Sequence, residues 1–248
     1  MNCPKCGTSN ATGATVCASC GTAISPSAGT GTSGPHIPEF AKDIITPGLI
    51  ARVKNIILTP ATEWPVIDAE PSSPRAIYVQ YVAPLAAIGA IAGFIGNTLI
   101  GRSYGFLGTY RTPIVSGLVA SVVAYVLAFV GVFLVALIVD ALAPTFGAQK
   151  DSLKALKVAA YSGTAGWVAG VLLILPSLAI IVGLAGLYGI YLLYLGLPVL
   201  MRSPKEKAIA YTAVAFICVF VVYVVIGAIS ARVVGGIMPG TFAPVVQS

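Results

Sequence analysis

The sequence predicts an all-α polytopic membrane protein, with five transmembrane helices preceded by a short amphipathic helix and a small cysteine module. Three observations carry that reading. Charged residues make up only 9% of the 248 while 57% are hydrophobic, whereas a soluble domain needs roughly a quarter charged residues to clothe its surface. The apolar residues gather in five runs, at about 77–100, 113–142, 155–175, 177–200 and 208–234. Each is near the roughly 20 residues that cross about 30 Å of hydrocarbon at about 1.5 Å per residue. Several runs also open on a hydroxyl followed by proline, the chemistry of a helix start.

Taken in order, residues 1–22 carry Cys3-Pro4-Lys5-Cys6-Gly7 and Cys17-Ala18-Ser19-Cys20-Gly21, two Cys-x2-Cys knuckles separated by ten residues. Tetrahedral zinc takes four soft ligands, and each knuckle presents two thiolates to one ion. Gly7 and Gly21 permit the left-handed backbone that such turns favour. The alternative is two disulfides. With no signal peptide ahead of it, the module is expected in a reducing cytosol, where thiols bind metal rather than pair. Four cysteines close the coordination shell, so the zinc at Cys3, Cys6, Cys17 and Cys20 is expected to be structural rather than catalytic. His36 is not needed as a ligand, and Cys218 falls in an apolar run, where it reads as a small buried hydrophobe.

Residues 23–43 are mainly Ser, Gly, Thr, Ala and Pro, a composition that cannot bury enough apolar surface to fold and is expected to be a flexible linker. Residues 44–76 form the amphipathic segment. Thr46-Pro47 reads as an N-cap and N1 proline, after which Leu49, Ile50, Val53, Ile56 and Ile57 recur at helical spacing. This helix is too short to span. Either it lies in the interface with its cations at anionic headgroups, or it packs on the bundle. Trp64, after a second start at Thr59-Pro60, suits the headgroup level.

Ser73-Pro74, Thr112-Pro113 and Ser203-Pro204 mark starts of spans, and Ser203 with Glu206 has the spacing of a capping box. A helix running from 155 to 200 would be about twice the membrane thickness, so Pro176 reads as the turn of a hairpin between the third and fourth spans. Orientation follows from the cations. With the N-terminus inside, eleven Lys and Arg lie on the cytoplasmic side, and only Arg102, Arg111 and Arg232 lie outside. That bias predicts a multi-pass protein of the inner (cytoplasmic) membrane with its N-terminus cytoplasmic and its C-terminal tail, 235–248, outside. The net charge of +6 is spread singly over loops, not stacked in a patch with aromatics, which argues against nucleic acid as a partner.

Within the spans, ionisable residues are functional candidates by default, and there are few. Asp140 lies within reach of Lys150, Lys154 or Lys157, so an ion pair is expected. Asn97 and Thr98 fit either a polar path or a helix-to-helix hydrogen bond. Tyr188, Tyr191 and Tyr194 form a stripe, for which packing on the third span through Ser162 or Thr164 is the expectation and a ligand track the alternative. Gly89-x3-Gly93 and Gly166-x3-Gly170 are close-approach pairs that serve either one bundle or a homo-oligomer. No nucleophile with a base and no acid pair is present, so no enzyme is expected.

Pro60 through Trp64 with Ile67, Ala160-Tyr161-Ser162 with Trp167 and Pro176, and Leu187-Tyr188-Gly189 through Gly196-Leu197-Pro198 and Pro204-Lys205 resemble the Yip family of Ypt/Rab-interacting membrane proteins. The resemblance covers about 46–234 and is to the prokaryotic branch. Where eukaryotic members carry Asp-Leu-Tyr-Gly-Pro, this chain has Thr59 through Trp64. It implies five spans, a cytosolic N-terminus and a role in organising membrane or recruiting partners. The expected function is therefore a scaffold or adaptor in the lipid bilayer that binds a cytosolic protein through its zinc ribbon. The rival is a small-solute or ion transporter using Asn97, Asp140 and the tyrosine stripe.

Overall fold

The computed structural model describes residues 3, 5–11, 17–21, 47–103 and 109–237. The chain falls into two compact units, Met1–Pro38 and Glu39–Ser248, and each is described by itself. The first holds the cysteine module. The stretch read as a linker, 23–43, lies outside the described residues together with His36 and Thr46, and the C-terminal tail is described only as far as Ile237.

Among the described residues the second unit is all-helical apart from one short hairpin. Two short helices, α1 (Pro47–Leu58) and α2 (Pro60–Ala69), precede five helices long and apolar enough to cross a membrane: Pro74–Ile100, Ile114–Leu142, Ser152–Ile174, Pro176–Leu200 and Lys205–Ala228. Pro74–Ile100 is α3 and Ile114–Leu142 is α4. They are joined through Arg102–Ser103 paired antiparallel with Thr109–Tyr110. The third span comprises α5 (Ser152–Ser162), α6 (Thr164–Ala169) and a 3-10 turn over Gly170–Ile174. The fourth contains α7 (Ala179–Leu200), and the fifth is α8, which continues over Lys205–Ile237.

Local chemistry explains the departures from plain α-helix. Over Ile77–Val82 the backbone slips to the wider π pitch, just ahead of Pro84, whose ring would clash with the carbonyl of Gln80 and has no N–H to give it. Gly163 interrupts the third span, and the hairpin turn falls at Pro176, which starts a short 3-10 turn. Among the described hydroxyl-proline starts only Ser73 caps, accepting from the Ala76 N–H at 3.2 Å. Thr59 instead donates to Asn55 O at 3.1 Å, and the Thr112 N–H is drawn to Asn97 O at 2.9 Å. The Ser203 hydroxyl is buried with no hydrogen-bond partner among the described residues, so the expected capping box does not form. Asp151 caps α5 instead, accepting from Leu153 and Lys154 N–H, both at 3.0 Å.

The glycines hold one chain together. Gly89 faces Gly170 and Gly166 faces Gly186, backbone against backbone, while a Cβ on Gly96 would run into the Leu173 carbonyl. Such contacts let helices approach where lipid offers no hydrophobic drive between them. Gly93, by contrast, has open space around it.

Both short helices pack on the bundle. Leu49 and Ile56 are buried, and the Tyr188 hydroxyl donates to Ile57 O at 2.8 Å. Ile50 and Leu58 stay exposed on the outer face of α1. Trp64, whose composition suited the headgroup level, is a core side chain at 0% exposure, edge-on to Tyr161 with ring centroids 6.4 Å apart. The absence of a side chain at Gly196 makes this seat, because a Cβ there would stand 2.8 Å from the indole. Gly196→Val should therefore unseat Trp64 at an overpacking cost of about 1–3 kcal/mol. A lower melting temperature in detergent and red-shifted tryptophan emission are the expected readouts; an unchanged melt would contradict the packing.

Candidate metal centre

In the first unit each Cys-x2-Cys segment folds back on itself. The Gly7 N–H donates to Cys3 O at 2.9 Å and the Gly21 N–H to Cys17 O at 3.0 Å. Both glycines are left-handed, at φ +72° and +68°, a conformation that glycine enters at no steric cost. The two turns therefore present their thiols to a common point. The ligand atoms of Cys3, Cys6, Cys17 and Cys20 all lie within 4.8 Å of one another, with Cys3 Sγ 3.7 Å from Cys20 Sγ and Cys6 Sγ 3.5 Å from Cys17 Sγ. A tetrahedron with Zn–S bonds of about 2.3 Å has S···S edges of about 3.8 Å, so the donor set fits zinc. A disulfide needs about 2.05 Å, and none joins the described cysteines.

Further contacts hold the four thiols in place. The Asn10 amide donates to Thr8 O at 2.8 Å and reaches Cys17 Sγ at 3.6 Å, while its oxygen accepts from the Ala18 N–H at 2.9 Å. One side chain thus ties the first knuckle to the second. The backbone amides of Cys20 and Ser19 lower the Cys17 thiol to about 6, and the Thr8 hydroxyl and amide lower Cys6. At Cys3 the amides of Lys5 and Cys6 pull the same way, but desolvation and the sulfurs of Cys6 and Cys17 prevail and push the thiol up to about 11. Four clustered thiols resist ionising together. A divalent metal supplies the positive charge that deprotonates coordinating thiols outright.

The residues considered for transport are not brought together. Asn97 lies near the Thr112 end of α4, and its side chain donates to Gly93 O at 2.8 Å on its own helix. Asp140 stands at the other end of α4, about 39 Å away along the helix at about 1.5 Å per residue. Asp140 also lacks the expected lysine partner. Lys154 pairs with Asp68 at 2.8 Å, Lys157 turns to backbone carbonyls, and Asp140 Oδ1 is buried with no hydrogen-bond partner among the described residues. The tyrosine stripe does not zip the fourth span onto the third. Tyr188 bonds α1, Tyr191 and Tyr194 are exposed, and the Thr164 hydroxyl is engaged by Tyr81 at 2.6 Å. Transport would need these groups to share a path, and they do not.

The family model for the Yip1 domain matches residues 54–227, well over half of the chain. The chain belongs to the Yip1 family. Among curated proteins and among solved structures nothing matches it. The Yip1 domain begins within α1 and ends within α8, so the cysteine module lies outside it.

At the start of the Yip1 domain the structure adds an ionic clamp that the sequence reading did not identify. Arg52 on α1 bonds Glu63 on α2 at 2.5 Å and also Glu70, and its guanidinium lies 6.0 Å from the Tyr161 ring centroid. Lys157 is buried, and its ammonium donates to Ile67 O at 2.7 Å and Glu70 O at 2.6 Å. It thereby satisfies carbonyls left open at the end of α2. The legible signal was Lys157 itself, a cation three residues after Lys154 on the buried face of an apolar span. Its partners, 87 and 90 residues away in sequence, were not.

Proposed function

We propose that this protein is a membrane scaffold or adaptor that recruits a cytosolic protein through a zinc-stabilised ribbon. The convergence of the Cys3, Cys6, Cys17 and Cys20 thiols within 4.8 Å carries the reading. A closed four-thiolate site stabilises a small recognition module and leaves no coordination position for substrate. Residues 77–234 anchor the module as the Yip1-type bundle, 44–76 clamp onto it, and 23–43 tether the ribbon of 1–22. The Lys and Arg distribution supports a cytoplasmic N-terminus, and the resemblance to the prokaryotic branch supports placement in the cytoplasmic membrane.

The test is recovery of cytosolic partners by the full-length protein in detergent, with and without Cys→Ser changes at the four ligands. Partners recovered by the native chain should be lost from the Cys6→Ser/Cys17→Ser variant. Equal recovery from both would remove the role given to the ribbon.

A further inference from the structure

Between α1, the segment after α2 and the first turns of α3 lies a cavity of about 220 Å³, whose polar lining comprises Arg52, Glu70, Ser72, Gln80, Tyr81 and Tyr161. Its depth is fixed by α3. Gln80 stands six residues after Pro74, where that span begins, or about 9 Å along the helix at about 1.5 Å per residue. In a bilayer whose headgroup layer is roughly 5–7 Å deep on each side, that level is close to the boundary between headgroups and hydrocarbon. Ile50 on α1 and Val79 on α3 are exposed beside it, at 62% and 54%, as apolar surface for acyl chains.

The charges select the ligand. Arg52 is already neutralised by Glu63 and Glu70, so an anion would meet a saturated cation beside the Glu70 carboxylate. A simple cation would meet Arg52 and, behind the Glu70 carbonyl, the buried Lys157 ammonium. A zwitterion can exchange partners with the Arg52–Glu70 pair, which leaves no charge unmatched. Its phosphate can face the guanidinium edge with Ser72 and Gln80, while its ammonium faces the Glu70 carboxylate, whose side chain is 48% exposed. A quaternary ammonium would want an open aromatic face, and Arg52 already lies over the Tyr161 ring. A primary ammonium can instead donate three hydrogen bonds. We propose that this cavity binds the zwitterionic headgroup of a phospholipid bearing a primary ammonium, as in phosphatidylethanolamine.

The experiment is a native mass spectrometry titration of the full-length protein with short-chain phosphatidylethanolamine, phosphatidylcholine and phosphatidylglycerol, with glycerophosphoethanolamine as soluble competitor. Phosphatidylethanolamine should bind about 10-fold tighter than the other two, a difference of about 1.4 kcal/mol. Glu70→Gln should abolish that preference and Gln80→Leu, at an exposed position, should reduce it, with melting temperatures confirming that both variants fold. Equal binding of the three lipids, or an undiminished preference in both folded variants, would overturn the proposal. Competition by glycerophosphoethanolamine as strong as that of the lipid would also overturn it, because the site would then belong to a soluble zwitterion.

Discussion

Arg52→Met is expected to destabilise the membrane unit by about 3–5 kcal/mol, the cost of leaving a buried charge without its partner. The stranded group is Glu63, which is 7% exposed and takes its hydrogen bond from Arg52. Lys154→Met is the contrast. That pair with Asp68 leaves both side chains a quarter exposed, so its loss should cost only about 0–1 kcal/mol. Thermal melts of both variants in the same detergent check the difference, and Glu63→Gln placed on Arg52→Met should recover part of the loss because the uncompensated charge is gone. If the two single variants melt alike, burial of Glu63 does not govern the clamp.

What could be read in advance follows from the range over which each interaction acts. The five apolar runs, the Pro176 turn and the two knuckles are local patterns, and the all-helical class with five long apolar helices and clustered cysteines is what the structure displays. Trp64 shows where local reading ends. An indole beside a membrane segment suits the interface on composition alone, and only the missing side chain at Gly196, 132 residues later, makes room for it in the core. Thr164 was sought by the wrong tyrosine for the same reason, since nothing local marks Tyr81 on α3 as its partner. The hydroxyl-proline starts at Thr112 and Ser203 failed differently. Both helices begin one residue after the proline, at Ile114 and Lys205, so the hydroxyl lies one position too far out to cap and goes unused, or the backbone beside it bonds elsewhere. In the first unit, the convergence of the four cysteines was legible from spacing, whereas Asn10 was not, because its contacts depend on the second knuckle folding over the first.

The full-length protein purified without chelator should carry one zinc per chain, and Cys17→Ser should lose it. A serine hydroxyl does not become the anionic sulfur ligand that the site requires, and structural zinc in small ribbons contributes about 10–16 kcal/mol of apparent binding energy at neutral pH, which is also the energy that folds them. Losing one ligand should therefore unfold residues 1–22 while leaving the helical unit, with its own core, melting as before. Acid should act in the same direction. Zinc binds thiolates and releases their protons, so affinity falls as pH falls, and with as many as four protons in competition the metal should leave over a narrow range of pH. Metal analysis across a pH series, with cobalt replacing zinc to report tetrahedral sulfur ligation by its absorption, checks both statements. Retention of the metal by Cys17→Ser would mean that the four thiols are not its ligands. A matching fall in the melting temperature of the helical unit would mean instead that the ribbon packs on the bundle, and the tethered adaptor would have to give way to a rigid one.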